Sequence, residues 1–212
     1  MKDCVNFQQK LDMFLEKIEQ NKDEIPTLML HSCCAPCSSY VLEYLSKYFQ
    51  ITIYYYNPNI SDLEEYKKRV NEQEKFIKSV KWSNEVKFLE GEYYPEEFYK
   101  ISKGLEHLPE GGERCYLCYM QRMRKTAIKA KDLGFDYFTT TLSISPYKNA
   151  KWLNNIGELL EKEVGIHYLF GDFKKKNGYK RSIELSKIHN LYRQEYCGCI
   201  YSKVEQENRS SK

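Results

Sequence analysis

Short apolar runs alternate with longer amphipathic segments along this chain. The apolar runs are rich in β-branched and aromatic residues and predict five strands, at residues 27–31, 51–56, 86–89, 137–141 and 167–170. Between these runs, apolar side chains recur at helical spacing and predict helices at about 38–49, 61–80, 95–104, 115–133 and 150–163. Because alternating strands and helices are typical of a parallel sheet with helices on both faces, the pattern predicts an α/β fold.

The two ends of the chain fall outside this alternation. Residues 4–19 carry apolar side chains on one helical face, so we expect residues 1–24 to add an N-terminal amphipathic helix. Residues 203–212 are polar and predict a loose tail. No repeat, linker or low-complexity segment divides the chain, and we therefore expect a single α/β domain over residues 1–212.

Composition narrows the class of protein. The chain is 42% hydrophobic and 30% charged, as globular proteins are. Its net charge of +3 permits contact with nucleic acid without arguing for it. No stretch approaches the roughly 18 apolar residues of a membrane span, and the first residues lack the apolar segment of a signal peptide. We therefore expect a cytoplasmic protein with no membrane partner.

Seven of the eight cysteines fall into three short motifs: Cys33-Cys34-x-x-Cys37, Cys115-x-x-Cys118 and Cys197-x-Cys199. Such clustering in a chain expected to be cytoplasmic favours metal or redox chemistry over structural disulfides. The first motif follows the first predicted strand, and ligands of parallel sheets bind at the carboxyl ends of strands. A helix start favours negative charge, so we expect the thiols of this motif to ionise easily. Cys4 stands alone and is expected to be a plain thiol.

The spacing of the first two motifs bears on the metal that they would bind. Cysteine pairs of a structural zinc site usually lie about 12 to 20 residues apart, whereas several predicted elements separate Cys37 from Cys115. Five cysteines also exceed the four ligands of a closed zinc site. The pattern therefore favours an iron–sulfur cluster, which accepts widely separated cysteines, and leaves zinc as the alternative.

The third motif fits either of two roles. Cysteines one residue apart close only a small, strained disulfide, and strained disulfides are readily reduced. Gly198 between them relieves the backbone restriction. Cys197 and Cys199 are therefore candidates for a redox-active disulfide that shuttles electrons, with further metal ligation as the alternative.

Three segments together carry a resemblance to a known family: LHSCCAPCSSY at 30–40, GGERCYLCYMQRMRKTA at 111–127 and LYRQEYCGCIYS at 191–202. They resemble the cobalamin-independent epoxyqueuosine reductases, the QueH family, over residues 27–202. The resemblance implies a Rossmann-like sheet similar to that of nucleotide α-hydrolases, with a metal centre in place of the nucleotide. It also implies an oxidoreductase that reduces the epoxide of epoxyqueuosine, at the wobble position of tRNA anticodons, to queuosine in the last step of that pathway.

The resemblance further implies a [4Fe–4S] cluster beside an additional iron ion. The expected cluster ligands are Cys33, Cys34, Cys115 and Cys118. Cys37 is expected to be an additional metal ligand with a catalytic role, and it stands where many members of the family carry an aspartate. Thiolate in place of carboxylate would change the charge and softness of the additional iron site. The third motif would supply the cluster with electrons, which it would receive from an unidentified donor.

Further candidates follow from position in the chain. Asp172, after the fifth predicted strand, is a candidate proton relay or orienting group, with a solvated loop carboxylate as the alternative. His31, at the end of the first strand, is predicted to be a hydrogen-bonded strand-end residue rather than a ligand. A basic cluster after Asp172 suits the phosphates of an anticodon loop, although such runs are usually only solvated faces. This cluster comprises Lys174, Lys175, Lys176, Lys180 and Arg181.

Two other groups are candidates for contact with tRNA. Residues before the third motif suit stacking on, and hydrogen bonding to, a flipped-out base; they are Tyr192, Arg193 and Gln194. Cations after the second motif suit contact with phosphate; they are Arg122, Arg124 and Lys125. Two rival functions remain: a zinc-stabilised nucleic-acid-binding module without catalysis, and a thiol–disulfide oxidoreductase that works without metal.

Overall fold

Five short strands pair in parallel to form the sheet at the middle of the molecule. The computed structural model describes residues 6–20 and 24–210, and Cys4 lies outside them. The strands are β1 (Thr27–His31), β2 (Gln50–Tyr55), β3 (Val86–Glu90), β4 (Tyr137–Thr140) and β5 (His167–Tyr168). The helices of the described residues are α1 (Phe7–Gln20), α2 (Ala35–Leu45), α3 (Leu63–Ser79), α4 (Pro95–Ser102), α5 (Glu113–Asp132), α6 (Ala150–Leu160), α7 (Gly178–Ile188) and α8 (Ile200–Ser210). Across the sheet the strand order is β3-β2-β1-β4-β5.

Helices cover both faces of this sheet, because successive strand residues point to opposite sides. Leu28 and Leu30 of β1 pack in a core that includes residues of α1, α2 and α3. Met29, between them, packs on the opposite face with residues of α5 and α6. The predicted α/β fold is therefore confirmed, and β1 is buried on both sides.

The order of the strands reverses at β1. The chain runs outward through β2 and β3 on one side of β1 and then places β4 and β5 on the other side. The connections that leave β1 and β4 therefore diverge, and ligands of such sheets bind in the crevice outside the carboxyl ends of these strands. His31 and Thr140 end the two strands, and Nδ1 of His31 lies 2.9 Å from the Thr140 hydroxyl. The first cysteine motif follows β1 at this crevice.

The sequence pattern does not predict α7 and α8. α7 follows a turn in which Lys176 and Asn177 adopt left-handed backbone angles, with φ values of 51° and 62°. α8 occupies the segment expected to be a loose tail from residue 203, and it stays helical to Ser210. The polar sequence of α8 gives little indication of a helix. Contacts with residues distant in the sequence, rather than a local pattern, hold this helix in place. One of them is a hydrogen bond of 2.8 Å from the Glu110 backbone amide to the Glu205 carboxylate.

Gly178 marks a close approach between α7 and α2. A Cβ atom at this position would lie 2.0 Å from the carbonyl oxygen of Phe173 and 2.4 Å from Cε1 of Tyr40. Contacts this short do not occur between real atoms, so any other residue would force α7 to move. Glycine is therefore what permits α7 to pack against α2.

Candidate metal centre

The first cysteine motif forms a compact group of three thiols at the carboxyl end of β1. Cys33 and Cys34 lie in the loop after β1, and Cys37 lies in the first turn of α2. The three sulfur atoms lie within 4.8 Å of one another, with 3.8 Å between those of Cys33 and Cys34. Cys33 Sγ is also 3.9 Å from the hydroxyl of Thr141, directly after β4. Three soft donors at this spacing can ligate one metal ion or part of a cluster.

Mutual hydrogen bonding divides these thiols into one acidic and two weakly acidic groups. Hydrogen bonds from Cys34 and Cys37 lower the pKa of the Cys33 thiol well below its usual value. Burial raises the pKa of Cys34 to about 12, and the hydrogen bond to Cys33 raises the pKa of Cys37. The expectation that all three thiols ionise easily is therefore wrong, because two of them supply the protons that stabilise one thiolate. A metal bound by all three would displace those protons.

A buried hydrogen-bond network fixes the loop that carries these thiols. Gln73 on α3 accepts a hydrogen bond from the Ser32 hydroxyl at 2.7 Å and donates one to the Ser38 hydroxyl at 2.9 Å. Asn57, just after β2, donates to the Ser32 carbonyl at 2.8 Å. All four side chains are buried, and leaving such a group unpaired costs about 1–3 kcal/mol. The loop is thus held from α3 and from the end of β2.

The second motif places its thiols at the start of α5. Cys115 and Cys118 lie one helical turn apart, and Cys118 is buried. The Gly111 backbone amide donates a hydrogen bond to Cys115 Sγ at 3.3 Å. Burial raises the pKa of both thiols, that of Cys118 to about 12. Arg114, which is also buried, donates to three carbonyl groups of the preceding loop and so fixes the entry into α5.

The third motif lies on the loop between α7 and α8. Gly198 has a φ of 115°, a backbone conformation that favours glycine. Arg69 on α3 donates to the Cys197 carbonyl at 3.2 Å, and the Ser61 backbone amide donates to the Gly198 carbonyl at 3.1 Å. Cys197 and Cys199 are both free thiols. The loop is held against α3, and the redox-active disulfide stays a prediction.

Two adjoining cavities link the three motifs. The larger, of about 220 Å³, is lined by Cys33, Cys37 and Cys197 among other residues. The smaller, of about 10 Å³, is lined by Cys115, Cys118, Cys197 and Cys199 among others. Because Cys197 lines both cavities, the third motif lies between the first two. The second motif thus shares its cavity with the third, whereas Cys33, Cys34 and Cys37 form a group of their own.

This donor set fits a metal–sulfur centre, because thiolates are the preferred ligands of iron–sulfur clusters and of zinc. His31 does not add to it. Its ring nitrogens contact the Thr140 hydroxyl and, at 3.2 Å, the Tyr56 carbonyl. Burial lowers the pKa of His31 to about 3, so the ring is neutral at physiological pH. The prediction of a hydrogen-bonded strand-end residue is confirmed.

Asp172 does not line either of the two cavities. It is 8% exposed and forms an ion pair with Lys174 at 2.5 Å. The carboxylate is therefore not a solvated loop group, and it does not face either cavity. Its role as a proton relay or orienting group stays a prediction without geometric support.

The basic cluster after Asp172 is largely neutralised by carboxylates. Three of its five cations form ion pairs, which are Lys174–Asp172, Lys176–Asp12 and Arg181–Glu43. Lys175 and Lys180 are exposed and form no ion pair within the described part of the chain. None of the five lines the larger cavity, so any contact that they make with phosphate lies outside it.

The residues before the third motif divide into two kinds. Tyr192 is held away from the larger cavity, because its hydroxyl donates to Glu65 at 3.2 Å and Lys68 Nζ lies 3.3 Å above its ring. Arg193 and Gln194 line the cavity. Gln194 Oε1 is buried and has no hydrogen-bond partner among the residues described. The structure thus places Arg193 and Gln194, but not Tyr192, where a base could bind.

The three cations after the second motif do not lie together on one exposed surface. Arg124 pairs with Glu163, and Lys125 pairs with Glu97. Arg122 is completely buried. The expectation that these residues contact phosphate is therefore wrong for Arg122, whose charge lies inside the protein.

Sequence reasoning does not single out two residues that line the larger cavity, Lys148 and Tyr147. Although burial lowers the pKa of the Lys148 ammonium, electrostatic interaction with Cys197, Tyr119 and Cys33 raises it above its usual value. Tyr147 is 75% exposed. The sequence feature that could have identified them is their position in the connection after the fourth strand, where ligands of parallel sheets bind.

Comparison with known proteins gives these residues a family context. The sequence model of a family described as epoxyqueuosine reductase QueH matches residues 28–205, which include all three motifs. A protein named epoxyqueuosine reductase QueH from Streptococcus pyogenes is 44% identical over 190 residues, covering 89% of this chain and 74% of the relative. Proteins of the same name are similar to this chain in Staphylococcus epidermidis, with 41% identity covering 95% and 86%, and in Thermotoga maritima, with 35% identity covering 86% and 93%.

Proposed function

This chain belongs to the QueH family of epoxyqueuosine reductases, and we propose that it reduces epoxyqueuosine at the wobble position of tRNA with a [4Fe–4S] cluster. Removal of the epoxide oxygen consumes two electrons and two protons, leaves the cyclopentene of queuosine and releases water. The observation that carries the proposal is the convergence of six thiols, from three separate motifs, around two adjoining cavities beyond β1 and β4, with Cys34 grouped beside Cys33 and Cys37.

The proposed cluster ligands are Cys33, Cys34, Cys115 and Cys118, with Cys37 as a ligand of an additional iron ion. When bound, these metals would supply single electrons and polarise the C–O bond of the epoxide. The first two motifs line different cavities that adjoin at Cys197, so the cluster would lie between them. Binding of the metal would also displace the protons of these thiols.

Lys148 supplies a proton donor in the larger cavity, which Cys33 and Cys37 also line. Its raised pKa keeps Nζ protonated at neutral pH. We propose that Nζ hydrogen-bonds the epoxide oxygen and stabilises the negative charge that develops on it as the C–O bond breaks. Arg193 and Gln194 offer hydrogen-bonding groups for the base, and the exposed ring of Tyr147 suits stacking.

The third motif suits a two-electron relay. Oxidation of the Cys197 and Cys199 thiols to a disulfide releases two electrons and two protons, the number that the reaction consumes. Cys197 lines both cavities, which supports electron transfer between the pair and the cluster. A separate, unidentified electron donor must then reduce the disulfide.

A tRNA substrate also requires a basic surface outside the cavity. Lys175 and Lys180 are exposed, and we propose them as phosphate contacts. The remaining cations of the basic cluster contribute less, because carboxylates share their charge. Within residues 6–20 and 24–210, no helix combines the length and the apolar character needed to cross a bilayer. We propose the cytoplasm as the location, in keeping with a tRNA substrate.

The test is to measure iron and acid-labile sulfide after strictly anaerobic purification, and then to assay epoxyqueuosine-containing tRNA by mass spectrometry. We expect about four sulfides per chain with iron in excess of sulfide, and the loss of one oxygen from the modified base. Zinc without sulfide, persisting after reconstitution with iron and sulfide, would favour the zinc-stabilised binding module. Turnover that survives complete removal of metal would favour the thiol–disulfide oxidoreductase.

Replacing Cys199 with serine should spare the cluster but impair turnover with a weak dithiol reductant. We expect a loss of at least about tenfold, because the relay can no longer store two electrons as a disulfide. Turnover driven by dithionite, which reduces clusters directly, should be much less affected. Cys4→Ser, outside the three motifs, is the matched control. Unchanged turnover of Cys199→Ser with the weak reductant would remove the shuttle from the mechanism.

A further inference from the structure

Three arginines are buried in the described residues, and one of them differs from the others. Arg69 has a carboxylate oxygen of Glu65 at 2.7 Å, and Arg114 has one of Glu205 at 3.7 Å. Arg122 is 0% exposed and has no carboxylate within 4.0 Å among residues 6–20 and 24–210. A buried cation without a counter-charge is strongly destabilising, so the charge of Arg122 requires an explanation.

The neutral groups around Arg122 leave one of its nitrogens unpaired. Nε donates to the Cys118 carbonyl at 3.4 Å, and Nη1 donates to Asn57 Oδ1 at 3.2 Å. Nη2 is buried and has no hydrogen-bond partner in the described residues. Buried donors in native proteins are nearly always paired, so Nη2 of Arg122 is available to an acceptor that binds here.

The surroundings of the guanidinium point to the class of that acceptor. Burial lowers the pKa of Arg122, whereas negative charge at Cys118, Cys197 and Cys33 raises it above its usual value. One thiol from each of the three motifs therefore acts on this cation. The same Asn57 that accepts from Arg122 also donates to the Ser32 carbonyl, next to the first motif. Arg122 is thus fixed between the cysteine groups.

We propose that Arg122 is the counter-charge of the bound iron–sulfur cluster and that its Nη2 donates to a sulfur atom of that cluster. This inference rests on the proposed function, because it requires the cluster. Thiolate-bound clusters carry negative charge that grows on reduction, and their potentials depend on net charge and on hydrogen bonds to sulfur. A fixed guanidinium stabilises the reduced form more than the oxidised form. Arg122 therefore raises the reduction potential and makes the cluster easier to reduce.

The test is a redox titration, followed by electron paramagnetic resonance, of the full chain purified anaerobically with its cluster. Arg122→Gln removes the charge, and Arg122→Lys keeps the charge but loses the planar fork of donors. Arg124→Gln is the matched control, because it removes a cation from a partly exposed ion pair on the same helix. At the potential that half reduces the wild-type cluster, we expect the ratio of reduced to oxidised cluster to fall at least tenfold in Arg122→Gln, equivalent to about 59 mV for one electron. Arg122→Lys should lie between that variant and wild type, and Arg124→Gln should match wild type.

The outcomes separate a role of charge from a role in folding. The titration follows only the clusters that are present, so partial loss of iron does not obscure the result. Loss of the cluster from Arg122→Gln but not from Arg122→Lys also supports the proposal. A wild-type potential in Arg122→Gln, or loss of the cluster from both Arg122 variants, would assign Arg122 a purely structural role and overturn the inference. Absence of acid-labile sulfide from the wild-type protein would overturn the proposed cofactor as well.

Discussion

Replacing Cys118 with serine should remove most of the iron and sulfide from the protein and lower turnover of epoxyqueuosine-containing tRNA by at least about a hundredfold. Cys118 is buried at the start of α5 and lines the smaller cavity with thiols of the third motif. A serine hydroxyl is a hard donor that does not ionise near neutral pH, so it cannot replace a thiolate on iron. Loss of a group that merely orients a metal ligand lowers metal affinity or activity about 10- to 100-fold. Loss of a direct ligand should lower them by at least the upper figure.

The measurements are iron and sulfide per chain and turnover by mass spectrometry, made in parallel. Cys4→Ser lies outside the three motifs and should match wild type in both. Thermal unfolding of the metal-free forms separates loss of a ligand from damage to the fold, and we expect similar melting temperatures for wild type and Cys118→Ser. A variant with full iron, full sulfide and undiminished turnover would exclude Cys118 from the ligands.

Replacing Gly178 with alanine should lower the free energy of unfolding by about 3 kcal/mol, the upper range for overpacking. The added methyl group would overlap the Phe173 carbonyl oxygen and the ring of Tyr40, so α7 would have to move away from α2. For a chain of this size the melting temperature should fall by about 6–12 °C. The same movement would displace Tyr179 and Ser182, which line the larger cavity, so turnover should fall as well.

Lys187→Ala is the matched control for this variant, because Lys187 is exposed on the same helix. A change at such a position usually stays within about 0.5 kcal/mol. Calorimetry or thermal circular dichroism of the three proteins gives the comparison. If Gly178→Ala melts at the wild-type temperature, α7 packs less tightly on α2 than the structure indicates.

The position of the first motif was accessible to sequence reasoning for a physical reason. A short apolar run followed directly by Cys33 and Cys34 predicts a buried strand whose end carries the thiols, and β1 does end at His31. The carboxyl ends of parallel strands share one edge of the sheet, which predicts a site there before any distance is known. The sulfur of Cys33 lies against Thr141 after β4, as this rule implies.

The ion pairs around the site were harder to predict from the sequence, because the partners of these charges are distant in the chain. Lys176 and Arg181 belong to a basic run, yet they meet carboxylates of α1 and α2. Arg122 lies beside Arg124 and Lys125 in the sequence, but the helix turns it into the interior while the others remain partly exposed. The sequence therefore gives the number of cations in a segment. Only the packing of the fold decides which of them remain exposed and without a carboxylate partner.

The two strands that frame the site also lie the furthest apart in the sequence of any paired strands. His31 and Thr140, which hydrogen-bond across β1 and β4, are separated by 109 residues. Every strand pair in the described part of the chain is parallel, so no hairpin there can bring two strands together early. Contacts over such separations form slowly, because the loop must close before the contact stabilises it. During synthesis, the emerging chain thus exposes Cys33 and Cys34 well before their surroundings exist, and we expect iron to be delivered to the finished sheet rather than to the nascent polypeptide.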